Sequence, residues 1–189
     1  MIKDLMIKER SYRSFDEGVR IDRDTLVGFV DNARLIPSSV NLQPLKYRIC
    51  HTKDECDAML SLTKWAALLK EYEIPPRGHA PTAYVVICID KNVSDKSIFE
   101  KDVGIAAQTI MLSAVEQGFG GCMIGNFAPA KVAEALKLPD GIEPSLVLGL
   151  GKPDEDITIE GVGERGIGYY RDADGRHHVP KRSLDEIIL

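Results

Sequence analysis

Hydrophobic positions change their period several times along the chain, and each change marks an element. Ile2, Leu5 and Met6 share one face of a short opening helix. The stretch Arg10-Ser11-Tyr12-Arg13-Ser14-Phe15 breaks that period, alternating basic and hydroxyl residues ahead of Gly18. Asp22 is placed as the N-cap of a second helix, with Ile21 and Leu26 positioned as a hydrophobic staple. Leu26, Phe29, Val30 and Ala33 continue its apolar stripe, and Pro37 closes it. Leu45 to Ile49 alternates at period two and predicts a strand. Thr52 with Glu55 forms a capping box, so a helix opens at Lys53; its apolar spacing carries it, with a kink, through Trp65 to Glu71.

Ile74-Pro75-Pro76-Arg77-Gly78-His79-Ala80-Pro81 is a loop. Ala83 to Ile89 is apolar at every position, the pattern of a central strand covered on both faces. Val103, Ala107, Ile110, Met111 and Ala114 follow helical spacing among mostly apolar neighbours, which predicts a core helix ended by Gly118. A short strand follows at Gly120 to Gly125, a helix opens at Pro129, and Ser145 to Leu150 is another strand. From Lys152 the chain reads as Gly-rich, charged and irregular as far as Pro180. Without regular βαβ units or a linker, the expectation is one α+β domain over residues 1–189, a mostly antiparallel central sheet flanked by helices.

Composition narrows the function classes. With 44% apolar and 28% charged residues the chain is an ordinary globule, and a net charge of −5 argues against a nucleic-acid-binding role, which would want a basic surface. No apolar run reaches membrane-spanning length and the N-terminus lacks a signal-peptide core, so the expected location is cytoplasmic. Cys50, Cys56, Cys88 and Cys122 show no metal-type pairing; Cys50 and Cys88 fall in apolar strand runs and read as buried packing, as does Cys122.

Three separated segments concentrate phosphate-binding chemistry: Arg10 to Arg13, the Pro-bracketed loop with Ser38, Ser39 and Asn41, and Lys181-Arg182. Arginine grips phosphate oxygens bidentately and serine adds a hydroxyl donor. Two other motifs read as decoys. Gly161-Val162-Gly163-Glu164-Arg165-Gly166 matches GxGxxG literally, but no helical pattern follows it, so it reads as a turn. His177 and His178 point to opposite faces of an extended chain and read as a solvent-facing pair, not as metal ligands. No metal site is expected.

Arg10-Ser11-x-Arg13-x-Phe15, Pro37-Ser38-Ser39-x-Asn41-x-Gln43-Pro44, Gly118-x-Gly120-Gly121-x-x-x-Gly125 and the ending Lys181-Arg182-Ser183-Leu184 resemble, in this order, the nitroreductase family of flavoproteins. Glu9 and Leu45 depart from its usual residues at their positions. The resemblance implies a nitroreductase-like fold, an intertwined homodimer, and one FMN in each of two interface clefts. Arg10 and Ser11 then match holders of the FMN phosphate and ribityl chain, and Arg13 the cation at the pyrimidine edge. Ser38, Ser39 and Asn41 match a loop reaching the cofactor from the opposite subunit. Met123, Ile124 and Gly125 match backbone along the ring, and Lys181 and Arg182 the closing phosphate ligands. The implied activity passes hydride from NAD(P)H through FMN to a small electron-poor acceptor, nitroaromatic or quinone-like, by a ping-pong route. No catalytic protein side chain is called for. The alternatives are dehalogenation or ring oxidation on the same fold, or flavin binding without turnover. Trp65, Tyr72 and Phe127 stand equally for cleft wall or core, and the apolar tail Ile187-Ile188-Leu189 is expected to dock on a partner subunit.

Overall fold

The computed structural model describes residues 1–69 and 71–189. Its centre is β3 (Ala83–Asp90), whose side chains are buried on both faces down to Ile89. It lies antiparallel between β2 (Leu45–Cys50) and the long β5 (Ile142–Pro153). The other edge of β5 pairs antiparallel with β4 (Gly120–Ile124) and, at its end, with β1 (Phe15–Asp16).

The apolar run in β3 is continuous because its two faces meet two different helical layers. Ala83, Val85, Ile87 and Ile89 pack against α2 (Arg23–Arg34) and α4 (Glu100–Glu116) through Phe29, Ala107, Ile110 and Met111. Tyr84, Val86 and Cys88 pack in a second cluster with Met59 of α3 (Lys53–Leu62) and Val132 of α5 (Pro129–Ala135). The sheet thus sits between two helical layers, the α+β architecture the patterning implies.

Helix boundaries follow local chemistry. The Asp22 carboxylate accepts the Thr25 N–H at 2.8 Å, and Ile21 and Leu26 lie buried in one cluster. Thr52 and Glu55 form the expected capping box. The α4 helix ends in a Schellman turn: Gly118 has φ +79°, its N–H meets the Val115 carbonyl, and the Phe119 N–H meets that of Ala114. The opening helix α1 (Ile2–Lys8) buries none of its residues.

Two expectations are corrected. The α3 helix stops at Leu62 and does not continue through Trp65. Thr63 turns extended to bridge Phe127, and the Lys64 N–H bonds the Asn126 carbonyl at 2.9 Å. Lys70, within that expected continuation, lies outside the described residues. The stretch after Lys152 is not irregular: β6 (Ile157–Gly161) pairs parallel with β8 (His177–Lys181), and β7 (Tyr170–Arg171) pairs antiparallel with β8. The GxGxxG decoy is a turn, Gly166 N–H to Gly163 carbonyl at 3.0 Å. No helix among the described residues is long and apolar enough to cross a membrane.

Candidate functional site

The N-terminal arm is laced onto the sheet before it reaches β1. Ser11 bridges Gly121 in parallel, the Tyr12 N–H bonds the Gly121 carbonyl at 2.9 Å, and the Asp154 N–H bonds the Ser14 carbonyl at 3.0 Å. These bonds hold Glu9, Arg10, Ser11 and Arg13 along one wall of a cleft of about 180 Å³. The opposite wall is β8, whose residues alternate in direction at period two. His177, Val179 and Lys181 therefore face the cleft together, and Tyr169 closes it.

A second cleft, about 130 Å³, opens beside the first. Met123, Ile124, Gly125 and Asn126 form one side of it, and Lys64, Trp65 and Ala66 another. Arg13 lines both clefts. A side-chain carbon built on Gly125 would meet nothing within 4 Å, so this backbone stands open to the cleft. Trp65 serves both roles weighed for it: it packs against Gly149 in the second cluster and lines this cleft. Phe127 packs in the same cluster, and Tyr72 lies exposed beneath the Arg171 guanidinium.

Arg13 is 9% exposed and its surroundings fix it from several sides. Its guanidinium lies 4.8 Å over the Tyr169 ring and donates to the Ser11 carbonyl at 3.2 Å. Its backbone N–H donates to Glu155, which also accepts from Arg171 Nη2 at 2.7 Å and stands 3.8 Å from His177 Nδ1. Burial pushes the Glu155 carboxyl upward, but the partners His177, Arg13 N–H and Arg171 outweigh it and hold the group below its ordinary range. Arg10 donates through Nη2 to the Met6 carbonyl at 2.6 Å. The Nε atoms of Arg10 and Arg13, and both ring nitrogens of His177, are buried without a hydrogen-bond partner among the described residues. Buried donors without partners are rare in folded proteins. Here they cluster on the cleft that carries the basic arm.

The Ser38 loop belongs elsewhere in the single chain. Val40, Asn41 and Gln43 all have positive φ, at 48°, 55° and 53°, a strained backbone for non-glycine residues. Ser38 Oγ holds this loop, donating to Asp102 Oδ2 at 2.6 Å and accepting the Gln43 N–H at 3.0 Å. Ser38 lines a separate cavity with Tyr47 and Asp102, and Ser39 and Asn41 line neither of these two clefts. Arg182 is exposed and lines neither cleft; the tail Ile187-Ile188-Leu189 is exposed as well.

The solvent-facing reading of the two histidines is corrected. They do point to opposite faces of β8, but His177 is 1% exposed, and His178 is half-buried between Glu160 and Asp172, 2.9 Å from each. No cluster of metal-ligating residues occurs among the described residues. Cys50, Cys56, Cys88 and Cys122 are free and buried, and burial raises the Cys122 thiol, which keeps it protonated packing at the edge of the cleft. Sequence reasoning missed His177, Tyr169 and Glu155. One signal for His177 was available, since on an extended chain it shares a face with Lys181 four residues on.

Comparison with known proteins agrees with this architecture. A nitroreductase family protein of Clostridium novyi is 26% identical, with a TM-score of 0.67 over 82% of this chain and 86% of the other. An FMN-dependent nitroreductase of Clostridium difficile is 24% identical, with a TM-score of 0.67 over 82% and 89%. A nitroreductase family protein of Streptococcus pneumoniae, 18% identical, superposes over 100% of this chain and 99% of its own with a TM-score of 0.72. The Nitroreductase family model matches residues 7–152, which span the basic arm, the sheet and both of its helical layers, and the chain belongs to that family.

Proposed function

We propose that the chain is an FMN-dependent oxidoreductase, with the phosphate end of the cofactor in the β8 cleft and its ring along Met123 to Gly125. The observation that carries this reading is that Arg13 lines both clefts, with unpartnered buried donors of Arg10, Arg13 and His177 on the first of them. A phosphate monoester supplies acceptors to such donors, and Arg10, Ser11 and Lys181 stand where they can use them. The Clostridium difficile relative is FMN-dependent, and a further solved relative is an oxidoreductase containing FMN.

When bound, FMN would supply the two-electron chemistry, hydride transfer between NADH or NADPH and a small electron-poor acceptor of nitroaromatic or quinone type. The chain's residues bind, orient and polarise. Arg13, held by Glu155 and Tyr169, would set a fixed positive charge beside the ring, which would raise its affinity for electrons. The open backbone at Gly125 would hold the ring on one side of the cleft, and Trp65 on another would bound the space left for nicotinamide or acceptor. A second copy of the chain completes the site in this reading, bringing Ser38, Ser39 and Asn41 on the strained loop, and its apolar tail packs across the dimer. The same reading puts the enzyme in the cytoplasm, a reducing compartment that suits four free, buried cysteines.

The test is anaerobic. The purified protein carries, or takes up, one FMN per chain, and NADH or NADPH bleaches its visible flavin absorption, which a nitroaromatic or quinone restores. A flavoprotein bleached by neither nicotinamide is a binding protein without turnover. A protein that takes up no FMN defeats the proposal. Sedimentation of the loaded protein as a monomer defeats its dimeric part.

A further inference from the structure

His177 is the most deeply buried polar group on the phosphate-end cleft, and among the described residues nothing meets its Nε2. It is 1% exposed, and neither ring nitrogen has a hydrogen-bond partner. Its Nδ1 stands 3.8 Å from Glu155 Oε2, an ion-pair separation too long for a hydrogen bond. Its ring packs at 5.5 Å against Tyr169, whose other neighbour is the Arg13 guanidinium. Filling the space does not need Nε2, and burying that polar atom unpaired costs free energy. The direction of the side chain supplies the other half of the case. In β8, His177 shares its face with Val179 and Lys181, and that face is the cleft wall opposite Arg10 and Ser11, while His178 and Pro180 face away.

Glu9 also lies on this cleft, so the basic arm brings one anion beside its cations, and a further donor on the opposite wall offsets it. Building on the FMN reading above, we infer that His177 is a cofactor-binding residue whose Nε2–H would donate to the phosphate of bound FMN. The group it binds is a phosphate monoester dianion, which distinguishes FMN from riboflavin. His177 is thus a determinant of which flavin the protein holds.

The experiment compares two flavins on the full chain stripped of its cofactor and titrated by flavin fluorescence. His177→Phe keeps the ring volume and the packing on Tyr169 but removes both nitrogens. His177→Gln keeps an N–H donor at a similar reach. FMN affinity is expected to fall roughly 10- to 150-fold in His177→Phe, the range for one hydrogen bond to a charged group, with riboflavin affinity unchanged. His177→Gln is expected to recover most of the loss. FMN bound as tightly by His177→Phe as by the wild type, or FMN and riboflavin weakened equally, overturns the inference. A wild type that binds riboflavin and FMN alike overturns it too, whereas one that binds neither flavin defeats the FMN reading beneath it. Should His177→Phe not fold, the imidazole nitrogen signals of His177 in wild-type protein give the answer: they shift on adding FMN and stay in place on adding riboflavin. Equal shifts with both flavins would sink the assignment.

Discussion

Glu155→Gln is the perturbation that most directly tests how the clefts are held. The carboxylate side chain is 9% exposed, and its partners Arg171 and His177 are 13% and 1% exposed, so solvent screens the cluster weakly. Removing one member of a buried ion pair typically costs about 3–5 kcal/mol, because the other charge is left uncompensated. Glutamine keeps one oxygen that can accept from either the Arg13 N–H or Arg171, so the expected loss is about 2–3 kcal/mol at neutral pH. In a chain of this size each kcal/mol moves the melting temperature by about 2–4 °C, which gives a fall of roughly 4–12 °C.

Acid supplies the control. Because the folded-state pKa of Glu155 lies below its ordinary value, its stabilisation is complete above the unfolded value, about 4.3, and drains away as pH falls through the folded one. The gap between wild type and Glu155→Gln, read from urea unfolding midpoints at constant slope, must therefore close in acid. A gap below about 0.5 kcal/mol at neutral pH, within the noise of surface substitutions, would refute the reasoning. So would a gap that persists undiminished in acid.

Three other outcomes follow from single contacts. Gly121→Ala would drive its new carbon into the Gly149 carbonyl oxygen and to 2.6 Å from Leu150 Cδ2, so β4 must part from β5; a loss of about 3 kcal/mol or more, or failure to fold, is expected in denaturant titration. Ser38→Ala leaves the buried Asp102 carboxylate without its 2.6 Å donor and is expected to cost about 1–3 kcal/mol, with faster amide exchange across residues 38–43. His178 has its pKa raised by Asp172 and then Glu160, so its contribution is full below the ordinary imidazole value and is lost as pH rises through the raised one. Amide protection of β6 and β8 should therefore weaken as pH rises through that raised value, and His178→Phe should abolish that dependence.

The parts of the fold legible in the sequence are those set by neighbours a few residues apart. Asp22 with Thr25, Thr52 with Glu55, and Gly118 after α4 each close a hydrogen bond within one turn, and residue type alone identifies them. The unbroken apolar run of β3 likewise announces cover on both faces. What stayed hidden depends on distant partners. The β8 strand reads His-His-Val-Pro-Lys, with little strand character, and exists because it pairs in parallel with β6 some 20 residues earlier. Past Leu62 the apolar spacing continues, yet Trp65 is called to Gly149 and Thr63 to Phe127, and tertiary packing ends the helix. At the site the division is the same. Arg10, Ser11, Arg13 and Lys181 are visible as motif residues, whereas Glu155 matters only because the fold carries it to the Arg13 N–H, 142 residues away in sequence.

That long reach explains how a basic arm outside the core can place charge reproducibly. The arm has no strand of its own until Phe15, so its position is set by what it borrows: Gly121 of β4, the end of β5 at Pro153, and Glu155 just beyond. The same short passage from β5 into β6 fixes where the second sheet starts, and with it the face of β8 that presents His177 and Lys181. One junction therefore registers both walls of the cleft against each other, and Glu155 is the side chain that bonds to both, through the arm's N–H and through Arg171 of β7. A buried carboxylate among cations is a costly way to hold two segments if stability were its only purpose, since apolar packing does that as well or better. Its worth here is geometric: it fixes the spacing of the arginine and of His177 and Lys181 on β8 around a narrow cleft, the spacing that the proposed FMN phosphate would meet.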